Sequence, residues 1–406
     1  VAVGWGQEIP RGKAARVGLS QKKLDRLGAA MKKLVAKNKV PGMVTLVAKR
    51  GKIVHFQAAG WMELGKKKRL KEDAIFRLAS MTKPITAVAL MLLWEEKKFG
   101  LDEPVSKYLL SLEGLKVLEG GVEVAAKREM TIRDLLTHTA GFAYGYGLGS
   151  TKVDGAYTKA NVLDANSTLE EMVAKLSEIP LAYHPGEKWA YSVSCDVQAR
   201  LVEVLTGERF DEVLRKRIFE PLDLKDTAYF VPKNKLSRLP SAHYGPNLLP
   251  RGKPEDALRA PKLLAGGHGL YSTARDYLRF AEMMRAGGKL GKIRLLRAKT
   301  VAMMMKNQIP ENLVPIAVGS SVLLGQGFGF GGAVQVKETF RKRRTRGRYG
   351  WAGAMTTTFL ILPKDEIVAL AFSQVAPYSN EVMAEFEKLV LAARKSPKKQ
   401  KIEKSR

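Results

Sequence analysis

The sequence predicts an α+β fold (an α/β sandwich), in which both chain ends contribute to one antiparallel sheet flanked by helices, and a mainly helical lobe is inserted. Two runs rich in apolar and β-branched residues, 43–49 and 53–59, are joined by an Arg-Gly-Lys turn near the N-terminus. Two similar runs, 356–362 and 366–373, meet at Pro-Lys-Asp near the other end. The chain between these hairpins has mainly helical patterns, which predicts the inserted lobe.

Amphipathic helices are predicted beside both hairpins. One begins after Ser20 and carries an apolar stripe from Leu24 to Val35, and the other carries Val382 and Phe386 on one stripe. We predict a single domain over 19–391, with a sheet lobe from about 19–75 and 260–391 and a helical lobe over about 80–255. The basic end, 396–406, is predicted to be a disordered tail.

Caps and glycines predict the helix boundaries in the middle of the chain. Thr131 with Asp134 begins a helix that ends at Gly141, Ser167 with Glu170 begins the next, a third ends at Gly207, and Ser272 caps a helix that runs to Gly287. The segment 141–150, rich in Gly and Tyr, is predicted to be a loop near a functional site.

The chain is strongly basic, with 69 Lys and Arg against 40 Asp and Glu and a formal net charge of +29. The cations concentrate at 66–71, 341–348 and 394–406, but no aromatic residues for base stacking are interleaved with them. We therefore interpret them mainly as solvated surface charges and predict no specific nucleic-acid partner. A non-catalytic protein that binds a polyanion is the alternative from a different class.

The sequence predicts no membrane span and no cofactor. The longest apolar run, 85–94, is half of the roughly 20 residues that a span requires. The first residues lack a signal-peptide core, so a cytoplasmic location is expected. Cys195 is the one cysteine, which excludes an internal disulfide, and the five histidines have no metal-binding spacing, so no metal is predicted.

The residues with the clearest chemical potential are Ser80 and Lys83, at the start of the apolar run. A spacing of three places both side chains on one helix face, and a serine beside a lysine is a means of making a nucleophile. Two other Ser-x-x-Lys pairs, at Ser20 and Ser396, lie before a polar-faced helix and in the basic tail. Only Ser80 leads into a helix that must be buried.

Other nucleophile and nucleotide motifs are disfavoured. A Ser-His-Asp hydrolase of the G-x-S-x-G kind is not indicated, since that motif does not occur. His138 is interpreted as a packed or hydrogen-bonded histidine. Gly327, Gly329 and Gly332 match G-x-G-x-x-G by letter, but no strand leads through them into a helix, so a glycine-rich hairpin is the better interpretation.

A serine–lysine site needs a further proton carrier and a rigid backbone edge. Tyr191, which follows a Pro-Gly turn, is a candidate for the carrier. The glycine-flanked segment 350–354 is a candidate for the edge, because glycines let a ligand approach the backbone closely.

These motifs together resemble the serine β-lactamase/penicillin-binding-protein superfamily, and within it the family VIII carboxylesterases, which are related to class C β-lactamases. The likeness is carried by Ser80-Met-Thr-Lys83, Tyr191-Ser-Val and Trp351-Ala-Gly353, and it extends over LLTHTAG (135–141), GGHGLYSTARDYLRF (266–280) and WAGAMTTTFLILPKD (351–365). It spans roughly 19–391 and implies a β-lactamase/transpeptidase-like fold.

The resemblance also implies roles for individual residues. Ser80 would be the acyl-accepting nucleophile, Lys83 would accept its proton or hold the tyrosine in its basic form, and Tyr191 would pass a proton to the leaving alcohol. The backbone N–H groups of Ser80 and Ala354 would form the oxyanion hole. Trp351 and Gly353 would line the substrate pocket.

Two departures from the β-lactamase pattern bear on the substrate. Val193 occupies a position that is usually Asn, and Trp351 one that is usually Lys or His. Both remove polar recognition groups, which favours neutral esters over lactams or peptides that carry a carboxylate. The prediction is thus a serine carboxylesterase acting on small-molecule esters, with β-lactamase, D-amino-acid peptidase or acyltransferase activity as the alternatives.

Overall fold

The computed structural model of the protein describes residues 8–145, 151–339 and 345–394. Its central element is a seven-stranded antiparallel sheet. The strands are, in chain order, β1 (Gly42–Lys49), β2 (Lys52–Gly60), β3 (Gln326–Phe328), β4 (Ala333–Gln335), β5 (Tyr349–Gly353), β6 (Thr357–Leu362) and β7 (Ile367–Phe372). The tail predicted at 396–406 lies outside the described residues, as does part of the basic run 341–348.

The order of strands across the sheet is β3-β4-β5-β6-β7-β1-β2. β1 pairs with β2 on one side and with β7 on the other, in a register that places Val44 opposite Phe372 and Lys49 opposite Ile367. The two chain ends therefore meet inside the sheet. The predicted α+β fold, with an antiparallel sheet built from both ends of the chain, is confirmed by this topology.

Helices surround this sheet and fill the middle of the chain. They are α1 (Gln21–Ala36), α2 (Lys83–Glu95), α3 (Ile132–Thr137), α4 (Asp154–Lys159), α5 (Leu169–Ser177), α6 (Ser194–Thr206), α7 (Phe210–Leu214), α8 (Ala274–Arg285), α9 (Ala298–Met304) and α10 (Asn380–Ala393). Short strand pairs join Ile75–Arg77 to Tyr271–Thr273, Lys116–Glu119 to Val122–Ala125, Lys289–Leu290 to Ile293–Arg294 and Ala317–Val318 to Ser321–Val322; Ala242–Tyr244 pairs with both Leu249–Arg251 and Val375–Ala376.

The two faces of the sheet belong to two apolar cores. Successive residues of a strand point to opposite faces. In β7, Val368 and Leu370 join the larger core, which also contains the buried residues of α2 and α8, whereas Ile367 and Ala369 join the smaller core beneath α1 and α10. Both faces are covered, so β7 reads as a continuous apolar run rather than an alternating one.

The helix α2 is the buried centre of the larger core. Ten of its residues are buried, including Lys83 at its start, and it packs against α6. A lysine in this place has no access to solvent, so its charge must be accommodated by the protein. α2 therefore carries Lys83 into the interior at the junction between the sheet and the helical lobe.

Both hairpins, both terminal helices and the glycine-rich hairpin formed by β3 and β4 were predicted and are confirmed, but four helix boundaries were wrong. α5 is capped by Thr168 with Glu171, not by Ser167 with Glu170, and α8 by Thr273 rather than Ser272. α3 ends at Thr137 and is closed by His138 in a left-handed conformation, before Gly141 is reached. The sequence also predicts that Gly100 ends the helix that begins near Ser80, but α2 ends at Glu95, and Lys97 beyond it is left-handed.

Within the described ranges, no helix combines the length and the apolar character needed to cross a bilayer.

Candidate active site

Ser80 lies in a short 3-10 turn, Ala79–Thr82, that leads directly into α2. Ala79, immediately before it, has φ = 48°, a left-handed conformation that a residue with a Cβ adopts at a cost. The turn is held by the hydrogen bond from the Thr82 hydroxyl to the Ala79 carbonyl. Ser80 is partly exposed, so its hydroxyl is accessible at the entry to a buried helix.

Lys83 and Tyr191 both reach the hydroxyl of Ser80. The ammonium nitrogen of Lys83 lies 3.2 Å from Ser80 Oγ, as the spacing of three residues predicts. The phenol of Tyr191, 111 positions along the chain, donates to the same oxygen at 2.6 Å. The structure therefore brings these three predicted site residues into one hydrogen-bonded group.

The surroundings of Lys83 favour its charged form. Lys83 has no exposed surface; it donates to the carbonyl of Gly267 at 2.8 Å and lies 4.6 Å from the ring centre of Tyr191 and 5.2 Å from that of Tyr144. Burial opposes the ammonium, but the potential of Tyr144, Tyr191, Cys195 and Asp196 outweighs it and raises the pKa of Lys83 above its ordinary value.

An aromatic wall surrounds Tyr191. The ring of Tyr144 stacks on it at 5.1 Å with only 8° between the planes, and Trp351 lies 5.6 Å away on another side. Phe328 and His138 complete the wall, since Phe328 contacts Trp351 at 5.4 Å and His138 contacts Tyr191 at 5.3 Å. The wall fixes the orientation of the phenol and makes the neighbourhood of Ser80 predominantly apolar.

His138 is fully buried, as the packed interpretation requires. Its Nδ1 hydrogen-bonds Ser192 Oγ at 3.0 Å, and burial together with the charge of Lys83 lowers its pKa well below the ordinary value. A neutral imidazole held by Ser192 beside the Tyr191 ring supports the tyrosine rather than taking part in a metal site. Among the described residues, no three His, Cys, Asp or Glu side chains are grouped as metal ligands.

The end of β5 is the backbone edge predicted from the sequence. Trp351 is 8% exposed, and Ala354 is exposed immediately after the strand. Gly353 touches the turn that precedes Ser80, because a Cβ on it would stand 2.1 Å from the carbonyl oxygen of Leu78 and 2.3 Å from Thr357 Oγ1. Glycine at 353 therefore lets the strand approach the Ser80 turn closely.

Replacing Gly353 with alanine is expected to lower both thermal stability and turnover. The added methyl has no room between Leu78 and Thr357, so β5 must move away from the Ser80 turn at a cost of about 1–3 kcal/mol. Thermal unfolding and kcat for an ester measure the two effects. Gly155→Ala is the matched control, since a Cβ there meets nothing within 4 Å. Equal melting temperatures for the two variants would contradict this close approach.

Val193 lies behind the site rather than in its wall. Its side chain has no exposed surface, and its backbone N–H donates to the carbonyl of Ala143 at 3.0 Å. It supports the loop that carries Tyr144 and has no surface of its own to offer a ligand in this conformation.

Sequence reasoning did not single out Tyr144, Gly267 or Asp196. Tyr144 falls in the loop at 141–150 that was expected near a site, of which residues 141–145 are described. Gly267 falls in the segment 266–280, which carries part of the family resemblance but was given no role. Asp196, in the first turn of α6, accepts the N–H of Gly267 at 2.8 Å. No local signal distinguishes it from other acidic residues of a first helical turn.

The basic run at 66–71 makes structural contacts. Lys66 pairs with Glu63 at 2.8 Å, Lys68 donates to the carbonyl of Ser237 at 2.5 Å, and Arg69 stacks over Trp61 at 3.8 Å. These contacts hold the segment against neighbouring elements, which accounts for part of the charge without a nucleic acid.

Comparison with known proteins shows which family this chain resembles. A family model described as Beta-lactamase matches residues 27–393. Esterase EstB of Burkholderia gladioli is 29% identical over 282 residues, covering 64% of this chain and 70% of that protein. Lovastatin esterase of Penicillium rubens is 26% identical over 374 residues, covering 83% and 90% respectively.

A solved structure described as EstCE1, a hydrolase with promiscuous acyltransferase activity, has a TM-score of 0.78 at 26% identity. The match covers 91% of this chain and 99% of that one. The predicted likeness to β-lactamase-like proteins that include family VIII esterases is confirmed by these relatives. Because the family model extends over most of its length, the chain belongs to the beta-lactamase family.

Proposed function

We propose that the protein is a serine hydrolase that cleaves neutral carboxylic esters through an acyl-enzyme on Ser80. The observation that carries this proposal is the contact of both Lys83 and Tyr191 with one hydroxyl oxygen, at 3.2 and 2.6 Å. A serine becomes a nucleophile when an adjacent group takes its proton, and these are the two groups within reach.

Of the two roles open to Lys83, the buried charge supports the electrostatic one. An ammonium cannot accept the proton of Ser80, but it lowers the cost of a phenolate at Tyr191, whose ring face it touches at 4.6 Å. In the proposed reactive form Lys83 carries the positive charge and Tyr191 the negative one. Tyr191 is then the base and Lys83 the cation that maintains it.

The proposed reaction has two steps, acylation of Ser80 and hydrolysis of the acyl-enzyme. Ser80 Oγ attacks the ester carbonyl while its proton passes to Tyr191; the tetrahedral intermediate collapses, and Tyr191 returns that proton to the leaving alcohol. Water then attacks the acyl-enzyme with Tyr191 again as base, and the acid leaves as Ser80 recovers its proton. The N–H groups of Ser80 and Ala354 are proposed to bind the oxyanion, because the Gly353 contact sets the strand end beside the Ser80 turn.

The wall around Ser80 supports neutral esters as substrates. Tyr144, Trp351 and Phe328 present aromatic surface, and no lysine or histidine stands at position 351 to attract a substrate carboxylate. Apolar acyl or alcohol groups gain roughly 25 cal/mol for each Å² of surface that they bury in such a site. The two esterases among the relatives point in the same direction.

The experiment that tests this function is covalent trapping. Treatment with a fluorophosphonate is expected to add one phosphonyl group per chain, and peptide mapping is expected to place it on Ser80. In parallel, hydrolysis of p-nitrophenyl butyrate is expected to exceed hydrolysis of a chromogenic cephalosporin by at least about tenfold in kcat/KM, since a lactam carboxylate finds no cation at Trp351. An adduct on another residue, or faster cephalosporin cleavage, would contradict the proposal.

Acyl transfer to an alcohol is a second candidate, favoured by the match to EstCE1. An apolar alcohol that occupies the leaving-group side would take the acyl group in place of water, with Tyr191 removing its proton. Adding 1-butanol during p-nitrophenyl acetate turnover is expected to yield butyl acetate if this activity is present. Acetate as the sole acyl product would remove the candidate without affecting hydrolysis.

A further inference from the structure

A buried carboxylate lies behind the site, outside the group that contacts Ser80. Asp196 has no exposed surface, and its Oδ1 accepts the N–H of Gly267 at 2.8 Å. Its other oxygen, Oδ2, is buried without a hydrogen-bond partner. A buried carboxylate oxygen left unpaired is costly, so a favourable interaction with a nearby charge is required to retain it.

The nearby charge is Lys83, on the other side of Gly267. A Cβ placed on Gly267 would stand 2.9 Å from Asp196 Oδ2 and 3.1 Å from Lys83 Nζ, so both groups lie close to this glycine where a side chain would stand. The carbonyl of the same residue accepts the ammonium at 2.8 Å. Gly267 is thus bound through its N–H by the anion and through its carbonyl by the cation.

The turn at 266–267 is held between α2 and α6. On the side of α2, Thr86 donates to the Gly266 carbonyl at 2.7 Å, in parallel with the bond from Lys83 to Gly267. On the side of α6, a Cβ on Gly266 would stand 2.0 Å from the carbonyl oxygen of Cys195. Asp196 binds this turn rather than the free amides of its own helix, which distinguishes it from an ordinary first-turn acid.

The titratable groups that surround Lys83 come from four segments. They are Tyr144 and His138 from the segment after α3, Tyr191 before α6, Cys195 and Asp196 in the first turn of α6, and His268 after the turn. Burial raises the pKa of Cys195 to about 12 and keeps that thiol neutral at ordinary pH, while burial lowers the pKa values of both histidines. Asp196 is the carboxylate of this set, and it is buried beside Gly267.

We propose that Asp196 is a positioning residue for catalysis: its Oδ1 holds the turn whose carbonyl binds Lys83, and its Oδ2 supplies the fixed negative charge that keeps Lys83 an ammonium ion. This role rests on the proposed hydrolytic function, in which Lys83 maintains Tyr191 as the base. Asp196 is enclosed behind Lys83 and Gly267 and touches neither Ser80 nor a substrate, so it acts only through Lys83.

This role predicts the direction in which the pH–rate profile moves when the Asp196 charge is removed. The active form of the Lys83–Tyr191 pair carries one proton, and a second proton inactivates it at low pH. Removal of the Asp196 charge makes each protonated form of the pair less favourable. The acidic limb of the rate profile is then expected to move to lower pH by about one unit or more. A loss of packing alone has no reason to shift the limb in this direction.

The test uses the full-length chain with Asp196→Asn, which keeps the shape and removes the charge, and Asp196→Ser, a smaller neutral residue. The rate of fluorophosphonate labelling of Ser80 and kcat and KM for p-nitrophenyl butyrate are measured from about pH 5 to pH 10. We expect the acidic limb at lower pH in both variants. We also expect kcat at the optimum to be reduced by about tenfold or more, with KM little changed.

Asp134→Asn is the matched control. This carboxylate is also buried, but it belongs to the cap of α3 and pairs with Arg128, away from Lys83. It is expected to lower the melting temperature and leave the pH profile in place. A wild-type acidic limb in folded Asp196 variants would overturn the proposal, and so would failure of both variants to fold, which makes Asp196 purely structural. Because labelling needs no ester turnover, an enzyme that labels at Ser80 but does not cleave esters separates a failure of the proposed function from a failure of this role.

Discussion

Replacing Ser80 with alanine is expected to reduce kcat/KM for p-nitrophenyl butyrate by about three orders of magnitude or more, because loss of a covalent nucleophile removes the acyl-enzyme route altogether. The fold is expected to survive, since the Ser80 turn is held by Thr82 and Ala79 and not by the serine hydroxyl. Steady-state hydrolysis, with thermal unfolding measured on the same sample, checks both parts.

Ser20→Ala is the matched control for this change. Ser20 also precedes a lysine by three residues and stands at the start of a helix, but its side chain makes no capping hydrogen bond at α1. Its replacement is expected to leave ester hydrolysis within about twofold of the wild type. Substantial turnover by folded Ser80→Ala would remove Ser80 as the nucleophile, whatever the control shows.

Replacing Tyr191 with phenylalanine is expected to lower kcat by about 10²–10⁴, the range that a positioned acid or base contributes. The phenol that donates to Ser80 at 2.6 Å is removed, while the ring that stacks on Tyr144 remains. The loss should therefore appear in kcat with the melting temperature nearly unchanged. Comparison of the kcat profile and the unfolding curve with those of the wild type measures it.

Tyr144→Phe provides the comparison for Tyr191→Phe. The two rings lie 5.1 Å apart and almost parallel, yet only the phenol of Tyr191 bonds Ser80. Loss of the Tyr144 hydroxyl is expected to cost less than about tenfold in kcat. If kcat falls by the same factor in Tyr191→Phe and Tyr144→Phe, Tyr191 acts through packing and the proposed proton path is wrong.

Local sequence was sufficient to predict the two hairpins and the proximity of Ser80 and Lys83. The hairpins are predictable because β1, β6 and β7 bury both faces, which produces runs of apolar and β-branched residues around a short polar turn. Ser80 and Lys83 are predictable because a spacing of three on a helix settles their proximity before the rest of the chain is considered.

The boundaries of helices were predicted less well, for a local reason. Ser167 and Thr168 stand side by side and both can cap a helix, as can Ser272 and Thr273, so the surrounding packing selects between them. His138 ends α3 in a left-handed conformation where glycine is the usual signal. Its buried bond to Ser192 explains why a non-glycine residue is retained there.

The supporting residues of the site depend on contacts between distant parts of the chain. The hydrogen bond from the Gly267 N–H to Asp196 joins residues 71 positions apart. The hydrogen bond from Lys83 to the Gly267 carbonyl joins residues 184 positions apart. Nothing in the sequence near Asp196 or Gly267 indicates these partners. They become visible only when α2, α6 and the turn at 266–267 are packed together.

The sequence by itself determined the two hairpins, the two terminal helices, the apolar helix behind Ser80, and the candidate residues at 80, 83, 191 and 351, because these depend on periodicity and side-chain chemistry. Only the tertiary structure decided that Lys83 is buried with its pKa raised, that Tyr144 and Asp196 lie near it, and that Val193 is buried. Charge state and exposure depend on what lies within a few ångströms in space, and that is set by how the whole chain packs.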